Sequence, residues 1–324
     1  MVGKFQKTLG MVVSVAALFS CTNCDEVDEG FVVEGAAEIS DEVTFRSVND
    51  NGEVLNGTEF NGTKLNGTKL NGIALNIASM LGIEVTGFTL QGSLLHAVKG
   101  GVTLSGAALT DTTAEFSITP EGGGPDVIET LKIGTVTQSA LQPDVYFTKV
   151  YRKAGSGPWE SLCKDGAGAE TEAIAIQNDW LPSTGARKAI SDAVTWACRG
   201  AALAKCIEWG YRPWATVGGD SLEEFHQACT RMVRADYCGD GVTHTTNGNA
   251  IDVSDIKGIQ TPDTTWAIEA KWGPDGAVCL STPRKLFWPR ASIPCAASLP
   301  LCTNSNPAEF GGLLMTRSVP NNNP

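Results

Sequence analysis

The chain has 324 residues, of which 42% are hydrophobic, and this size suffices for one large core or two modest ones. Its 36 acidic and 24 basic residues give a formal net charge of −12 and a pI near 4.8. Because a nucleic-acid-binding surface needs clustered Lys and Arg, this charge argues against nucleic acid as a partner.

The first twenty residues have the pattern of a signal peptide. Lys4 and Lys7 precede the apolar run "LGMVVSVAALFS" (residues 9–20), which is short for a membrane-spanning helix. The run ends in "LFSC", which resembles the lipobox of bacterial lipoproteins and predicts cleavage before Cys21 and lipid attachment to Cys21. In the alternative, an ordinary secretory signal, Cys21 has no special role. Both interpretations predict export, either as an outer-membrane or cell-surface lipoprotein or as a periplasmic or secreted protein.

Residues 21–50 are crowded with Asp and Glu and poor in large apolar side chains. Such a segment buries too little surface to offset its ordering entropy, so it predicts a solvated tether. Cys24, within this segment, has no predicted partner.

A five-residue repeat follows the tether and opens a segment, residues 51–155, that we expect to be β-rich. A period of five fits neither an α-helix nor a flat strand. It resembles the pentapeptide-repeat family, in which one apolar side chain per five residues points into a right-handed β-coil. The alternative is a low-complexity Asn-Gly linker. The apolar positions, each followed by Asn, are Leu55, Phe60, Leu65, Leu70 and Leu75.

The composition changes near "KAGSGPW", where we predict the start of a Cys-rich domain at residues 156–318, followed by a tail at residues 319–324. This domain contains an even number of cysteines, which in an exported chain predicts disulfides. They are Cys163, Cys198, Cys206, Cys229, Cys238, Cys279, Cys295 and Cys302.

Two helices are predicted in the middle of this domain. Residues 186–210 are Ala-rich, lack Pro and repeat apolar residues at near-helical intervals, and Pro213 follows their end. A second helix, capped by Asp220 or Ser221, runs towards "ADYC". The predicted fold class is therefore α+β: a β-rich repeat segment followed by a disulfide-stapled domain built around an αα-hairpin.

The cysteine spacing predicts two bridges across this hairpin. Eight residues separate Cys198 from Cys206 and nine separate Cys229 from Cys238, so the two spans are similar in length if helical. In an antiparallel pair the inner positions face each other, which predicts Cys206–Cys229 and Cys198–Cys238. The pairing of the other four domain cysteines stays open.

Longer motifs in this region resemble the ADYC-domain family of bacterial exported proteins, which is named for residues 235–238. They are "WACRGAALAKCIEWGYRPW", "HQACTRMVRADYCGDG", "GNAIDVSD" and "EAKWGPDGAVC", and the resemblance runs from about Trp159 to Met315. It implies architecture and export, but it implies no activity, cofactor or catalytic residue.

The residues near "ADYC" suggest four kinds of site. His226 and Cys229 could touch on one helix face as a thiol–imidazole pair, unless Cys229 is a staple. His226 or His244 with Asp240 could serve an envelope hydrolase, and a labile cysteine pair could serve a thiol redox protein. The acidic, Gly-rich loop around Asp252 could hold calcium, although turn formation explains it more simply. The one Cys-x-x-Cys spacing is Cys21 with Cys24 at the predicted anchor, and no His-x-x-x-His spacing occurs, so we predict neither a metal nor another cofactor.

The tryptophans of the domain could form a carbohydrate or peptide platform, or they could pack in the core. The cluster Trp209, Tyr211 and Trp214 is the best candidate for an exposed one. With no convincing catalytic set, the leading hypothesis is a surface-tethered binding or structural module of the cell envelope. Its expected partners are a membrane, through the lipid on Cys21, and an envelope or extracellular ligand.

Overall fold

The computed structural model of the protein describes residues 48–51, 85–99, 101–118, 127–165, 167–181, 183–189, 194–246 and 249–321. In this part the chain forms two α-helices and several antiparallel sheets. The elements, in chain order, are β1 (Val48–Asn51), β2 (Val85–Gln91), β3 (Leu94–Lys99), β4 (Val102–Ser105), β5 (Thr113–Ile118), β6 (Val127–Gln138), β7 (Tyr146–Ala154), β8 (Glu160–Ser161), β9 (Ala173–Gln177), β10 (Asp179–Trp180), β11 (Arg187–Lys188), β12 (Val194–Cys198), α1 (Ala202–Glu208), β13 (Thr216–Val217), β14 (Asp220–Ser221), α2 (Glu223–Arg234), β15 (Asn249–Asp255), β16 (Ala267–Gly273), β17 (Gly276–Leu280) and β18 (Leu314–Ser318).

The larger sheet has its strands in the order β12-β9-β7-β6-β5, with the short β8 paired to β7. Both faces of this sheet are buried at β9, because alternate side chains of that strand point into two different cores. Ala173 and Ala175 face a core shared with β3, whereas Ile174 and Ile176 face a core shared with the helices. A meander of β2, β3 and β4 contributes Leu95 to the first of these cores.

The second large sheet has the order β1-β15-β18-β16-β17 and packs in the same core as the helices. Trp272 of β16, Leu314 of β18 and Val253 of β15 lie in that core together with Met232 of α2. Trp272 lies opposite Leu314 in the antiparallel register, and its indole N–H donates to Thr316 Oγ1 over 2.9 Å. The helices are therefore held between two sheets.

The helix predicted for residues 186–210 is wrong over most of its length. Residues 194–198 form β12, which is the strand at one edge of the larger sheet and pairs with β9. Only Ala202–Glu208 are helical. The β-branched and aromatic residues Val194, Thr195 and Trp196 suit a strand, and Gly200, at φ 85°, ends it. The αα-hairpin therefore does not form as predicted, because its first helix has only about two turns and follows a strand.

The second helix agrees better with its sequence signals. α2 has Glu223 and Glu224 in its first turn and Arg231 and Arg234 in its last, which suits the helix dipole. It ends at Ala235, whose left-handed backbone (φ 50°, ψ 42°) lets the Ala235 and Asp236 N–H groups bond back to the last carbonyls.

Several predicted segments lie outside the described residues: the signal peptide at 1–20, Cys21, Cys24, most of the tether and the repeat positions from Leu55 to Leu75. The chain divides into two units, residues 1–34 and 35–324, and the first is among those outside. At the end of the predicted tether, β1 pairs with β15. Strands on both sides of the predicted boundary at 155/156 also pair, since β7 is hydrogen-bonded to β9. Neither α-helix of the described part has the length and hydrophobicity needed to cross a bilayer.

Candidate functional site

Four disulfides staple the domain and use all eight of its cysteines. The predicted bridge between Cys206 of α1 and Cys229 of α2 is present, with Cα atoms 5.8 Å apart. The other three are Cys163–Cys198, Cys238–Cys295 and Cys279–Cys302. Four disulfides in one domain indicate an oxidising environment, extracellular or periplasmic.

The predicted bridge Cys198–Cys238 is wrong. That prediction placed Cys198 one helix length from Cys206, but Cys198 lies in β12 and faces the core on the other side of the larger sheet. Cys163 is its partner there, at a Cα separation of 5.3 Å. Cys238 instead reaches the loop that follows β17, where Cys295 bonds to it.

The Asp of the "ADYC" segment is a buried hydrogen-bond acceptor. Asp236 is completely buried and accepts a bond from Arg231 over 2.6 Å and one from the Gly241 N–H over 3.0 Å, with an Arg234 nitrogen at 4.0 Å. Burial raises the pKa of Asp236, and Arg231 opposes this shift. The carboxylate therefore ties the end of α2 to the loop that follows it.

The Tyr of the segment connects α2 to the second sheet. Tyr237 donates its O–H to Glu269 Oε1 over 2.7 Å, and Arg284 Nε donates to the same oxygen over 2.8 Å. Arg284 also donates to the Met232 carbonyl over 2.9 Å, and Trp272 stacks on the Tyr237 ring at 5.2 Å. All of these side chains are buried, so Tyr237 holds α2 to the second sheet and is closed to a solute.

The histidines considered for catalysis are also buried. His226 is completely enclosed, with Nε2 3.0 Å from the Leu203 carbonyl and its ring edge against Trp180. Burial lowers the pKa of His226 to about 4, partly offset by that hydrogen bond. His226 cannot form a thiol–imidazole pair, because Cys229 is bonded to Cys206.

His244 and Asp240 are not brought into one site. His244 Nδ1 lies 3.1 Å from the Ala235 carbonyl, and its ring packs against Tyr237 and Trp288. Asp240 is exposed and accepts the Val242 N–H over 2.9 Å, which is the bonding of a turn residue.

The acidic loop likewise uses its carboxylates to fix backbone. Asp252 accepts bonds from Asp263 N and from Thr264, and Asp255 accepts bonds from three loop N–H groups and from the Tyr211 O–H. Within the described residues no group of three or more His, Cys, Asp and Glu side chains is arranged to hold a metal ion. Turn formation thus accounts for the oxygen-rich sequence.

A cleft of about 100 Å³ lies beside Trp214, the one member of the predicted aromatic cluster that is only partly buried. Trp209 and Tyr211 pack in the core. We call this site the Trp214 cleft; its lining residues are Leu90, Gly92, Ile176, Gln177, Asn178, Pro213, Trp214 and Glu223. It combines one large aromatic ring with two amides and a carboxylate.

Trp214 is fixed from behind by a buried ion pair. Its indole N–H donates to Asp144 Oδ2 over 2.6 Å, while Asp144 Oδ1 accepts a bond from Arg212. Both partners of the pair are almost fully excluded from solvent. The turn at Gly92 packs so closely that a Cβ there would lie 2.5 Å from the Asp144 carbonyl oxygen, and its φ of 59° also favours glycine. The indole therefore has one supported position at the cleft wall.

The polar rim has two further features. Asn178 directly follows β9 in the left-handed region, at φ 84°, and its carbonyl accepts the Thr195 hydroxyl over 2.8 Å. Left-handed residues other than glycine are uncommon and concentrate at functional sites. Opposite charges meet at Glu223, whose side chain is 38% exposed and is paired with Arg187.

Sequence reasoning identified Trp214 but missed Asp144, Asn178 and Glu223 as parts of a site. The dipeptide Asn178-Asp179 after the apolar run "AIAI" was a turn signal that could have marked one edge. No local signal links Asp144 to Arg212, which are 68 residues apart.

Comparison with known proteins identifies the family of this chain. No curated protein and no solved structure matches the chain significantly. The model of the ADYC domain matches residues 101–286, more than half of the chain. This match begins well upstream of Trp159 and ends before Met315, the two bounds of the resemblance seen in the sequence, and it includes the larger sheet and both helices. The chain therefore belongs to the ADYC domain family.

Proposed function

We propose that the protein is an exported binding module of the cell envelope, held to a membrane by lipid on Cys21, and that it binds its ligand in the Trp214 cleft. The observation that carries the proposal is the support behind Trp214, where a buried Asp144–Arg212 pair fixes a partly exposed indole. A side chain that is already fixed loses little freedom when a ligand binds, so its contact area contributes more fully to affinity.

The bonding of the candidate catalytic groups supports binding over hydrolysis or thiol redox chemistry. His226 and His244 are buried and engaged with main-chain carbonyls, and Asp240 stabilises a turn elsewhere. Every cysteine of the described part is in a disulfide, and the bridges Cys163–Cys198 and Cys206–Cys229 are buried, whereas a labile redox pair must be reachable by a reductant. These groups have structural uses that account for their positions.

Co-sedimentation with cell-envelope fragments from the producing cell tests the proposal. The chain carries Cys21→Ser in every sample, so that lipid does not itself cause sedimentation. We expect the otherwise unaltered protein to sediment with the fragments, and Trp214→Ala to remain in the supernatant. Trp159→Ala is the matched control, because Trp159 is also partly buried but is covered by Lys132 and Lys153 and does not line the cleft. Equal sedimentation of the Trp214→Ala and Trp159→Ala proteins would contradict the proposal.

A further inference from the structure

We infer that the Trp214 cleft binds an uncharged saccharide. This inference deepens the proposed function and rests on it, since it names the ligand of the same cleft. Three independent properties of the cleft support it: the indole wall, the chemistry of its amides and the balance of its charges.

The indole wall suits a sugar ring. A saccharide ring has an apolar face of C–H groups, and a Trp side chain offers a large flat surface with few rotatable bonds. In the cleft, Trp214 stands beside Pro213, and its N–H edge faces the β2–β3 turn at Gly92. The bond to Asp144 holds the indole by that edge, so the exposed part of the ring can serve for stacking.

The amides suit hydroxyl groups. A sugar hydroxyl both donates and accepts hydrogen bonds, and Asn and Gln side chains do the same through their NH₂ and C=O groups. Gln177 and Asn178 place two amides next to each other at one side of the cleft, and Glu223 adds acceptor oxygens. The left-handed backbone of Asn178 turns the chain at this point, so Gln177 and Asn178 are both at the rim instead of on opposite faces of a strand.

The charges favour a neutral ligand. Glu223 is the one ionisable residue among those that line the cleft, and Arg187 already neutralises it. An anionic saccharide would meet no unpaired cation among the lining residues and would be repelled by a chain of net charge −12. A cationic ligand would have to compete with Arg187 for the same carboxylate.

Calorimetric titration with neutral trisaccharides tests the inference directly. The probes are cellotriose, maltotriose and triacetylchitotriose, each added to the mature chain with Cys21→Ser. We expect at least one of them to bind, and Trp214→Ala to weaken that binding by about tenfold or more, as loss of a stacking residue predicts. Trp159→Ala should bind as the unaltered protein does.

Asn178→Gly keeps the test valid if Trp214→Ala does not fold. Glycine accepts the left-handed backbone of this position, and the main-chain bond from Thr195 remains possible. The variant removes only the amide, and we expect it to fold and to lose affinity by about threefold to tenfold, the effect of one net hydrogen bond. Unchanged affinity in a folded Asn178→Gly protein would overturn the assignment of the amide.

Treatment of the envelope fragments separates this inference from the proposed function. If periodate, which cleaves vicinal diols, abolishes Trp214-dependent sedimentation, the ligand is a saccharide. If protease abolishes it and periodate does not, or if no trisaccharide binds and periodate leaves Trp214-dependent sedimentation intact, the saccharide inference is overturned and the binding module stands. If neither the fragments nor the trisaccharides bind, both proposals are wrong.

Discussion

Tyr237 and Arg284 donate to one and the same oxygen of Glu269, over 2.7 and 2.8 Å, in a part of the core that is closed to solvent. The two donors come from different elements, the loop after α2 and the segment after β17. Their shared acceptor lies on β16. This arrangement joins three parts of the chain at one carboxylate and makes each donor sensitive to removal of the other.

Tyr237→Phe should destabilise the protein, because it leaves the buried Glu269 with one donor fewer while keeping the ring that stacks on Trp272. We expect a loss of about 1.5 to 3 kcal/mol in the free energy of unfolding. Urea denaturation followed by fluorescence measures it. Tyr151→Phe is the control, since its O–H bonds to Glu170 near the surface over 3.3 Å, and it should cost less than about 0.5 kcal/mol. Equal stability of the two variants would refute the role given to the Tyr237 hydroxyl.

Gly239→Ala tests how tightly the loop after "ADYC" packs. Gly239 has φ 68°, and a Cβ there would lie 1.9 Å from the Asp275 carbonyl oxygen. Gly258→Ala is a close match, because Gly258 has φ 73° and nothing within 4 Å of its would-be Cβ. The control should lose about 1 kcal/mol from backbone strain alone, and Gly239→Ala should lose about 3 kcal/mol or more. Thermal unfolding midpoints of the two variants check this. Similar midpoints would mean that the turn at Gly239 can move away from Asp275 without a loss of stability.

The buried His226 predicts a loss of stability in acid. Its pKa is about 4 in the folded protein and 6.5 in a solvated histidine, so between these values the unfolded chain binds a proton that the folded chain excludes. The free energy of unfolding should therefore fall as the pH drops from about 6.5 to about 4, by up to about 3 kcal/mol from this residue.

The measurement for His226 is a comparison of unfolding curves for the unaltered protein and His226→Gln at several pH values. Gln can still donate to the Leu203 carbonyl, and the comparison cancels contributions of carboxylates such as Asp236. The variant should lack the slope between pH 4 and 6.5. Parallel curves over that range would show that the imidazole is not excluded from protonation.

Two disulfides close loops of the same length but should contribute unequally to the free energy of unfolding. Cys206–Cys229 and Cys279–Cys302 both span 23 residues, so chain entropy predicts about 3 kcal/mol for each. Cys206 and Cys229 are completely buried between the helices, whereas Cys302 is partly exposed. We expect Cys206→Ala/Cys229→Ala to lose more stability than Cys279→Ala/Cys302→Ala, because the first pair also leaves a core cavity. If denaturant titrations show the same loss of stability in both double variants, the disulfides stabilise the protein only by restricting the unfolded chain.

The proposed lipid anchor on Cys21 predicts the start of the mature protein. Processing should remove residues 1–20 and leave Cys21 as an acylated first residue, which mass spectrometry of the N-terminal peptide can identify. Cys21→Ser should release the protein from membranes. A mature chain that begins elsewhere, or an unmodified Cys21, would exclude the anchor.

The sequence predicted α2 well because its charge and periodicity signals agree with each other, although the predicted cap is wrong: the N-cap is Leu222, and Asp220 and Ser221 form β14. Residues 186–210 misled because their many Ala residues favour a helix, and apolar spacing alone could not show that Trp196 and Cys198 lie on one face of a strand. The pair Cys206–Cys229 could be predicted because both cysteines lie on true helices, and Cys198–Cys238 failed with the helix that it required. The Trp214 cleft is assembled from residues 90 to 223, and no local pattern records such distant contacts.

The burial of Asp236 and Tyr237 has a consequence for how relatives of this protein should be interpreted. A signature whose side chains bond only to the protein interior specifies a scaffold, and any domain with the same scaffold can satisfy it. The residues that meet a ligand at the Trp214 cleft lie outside that signature, on a loop and on strand ends that can change without disturbing Glu269 or Arg284. Two members can therefore share "ADYC" and bind different molecules, and assignment of a ligand to any member requires the identities of the rim residues that correspond to Asn178, Trp214 and Glu223.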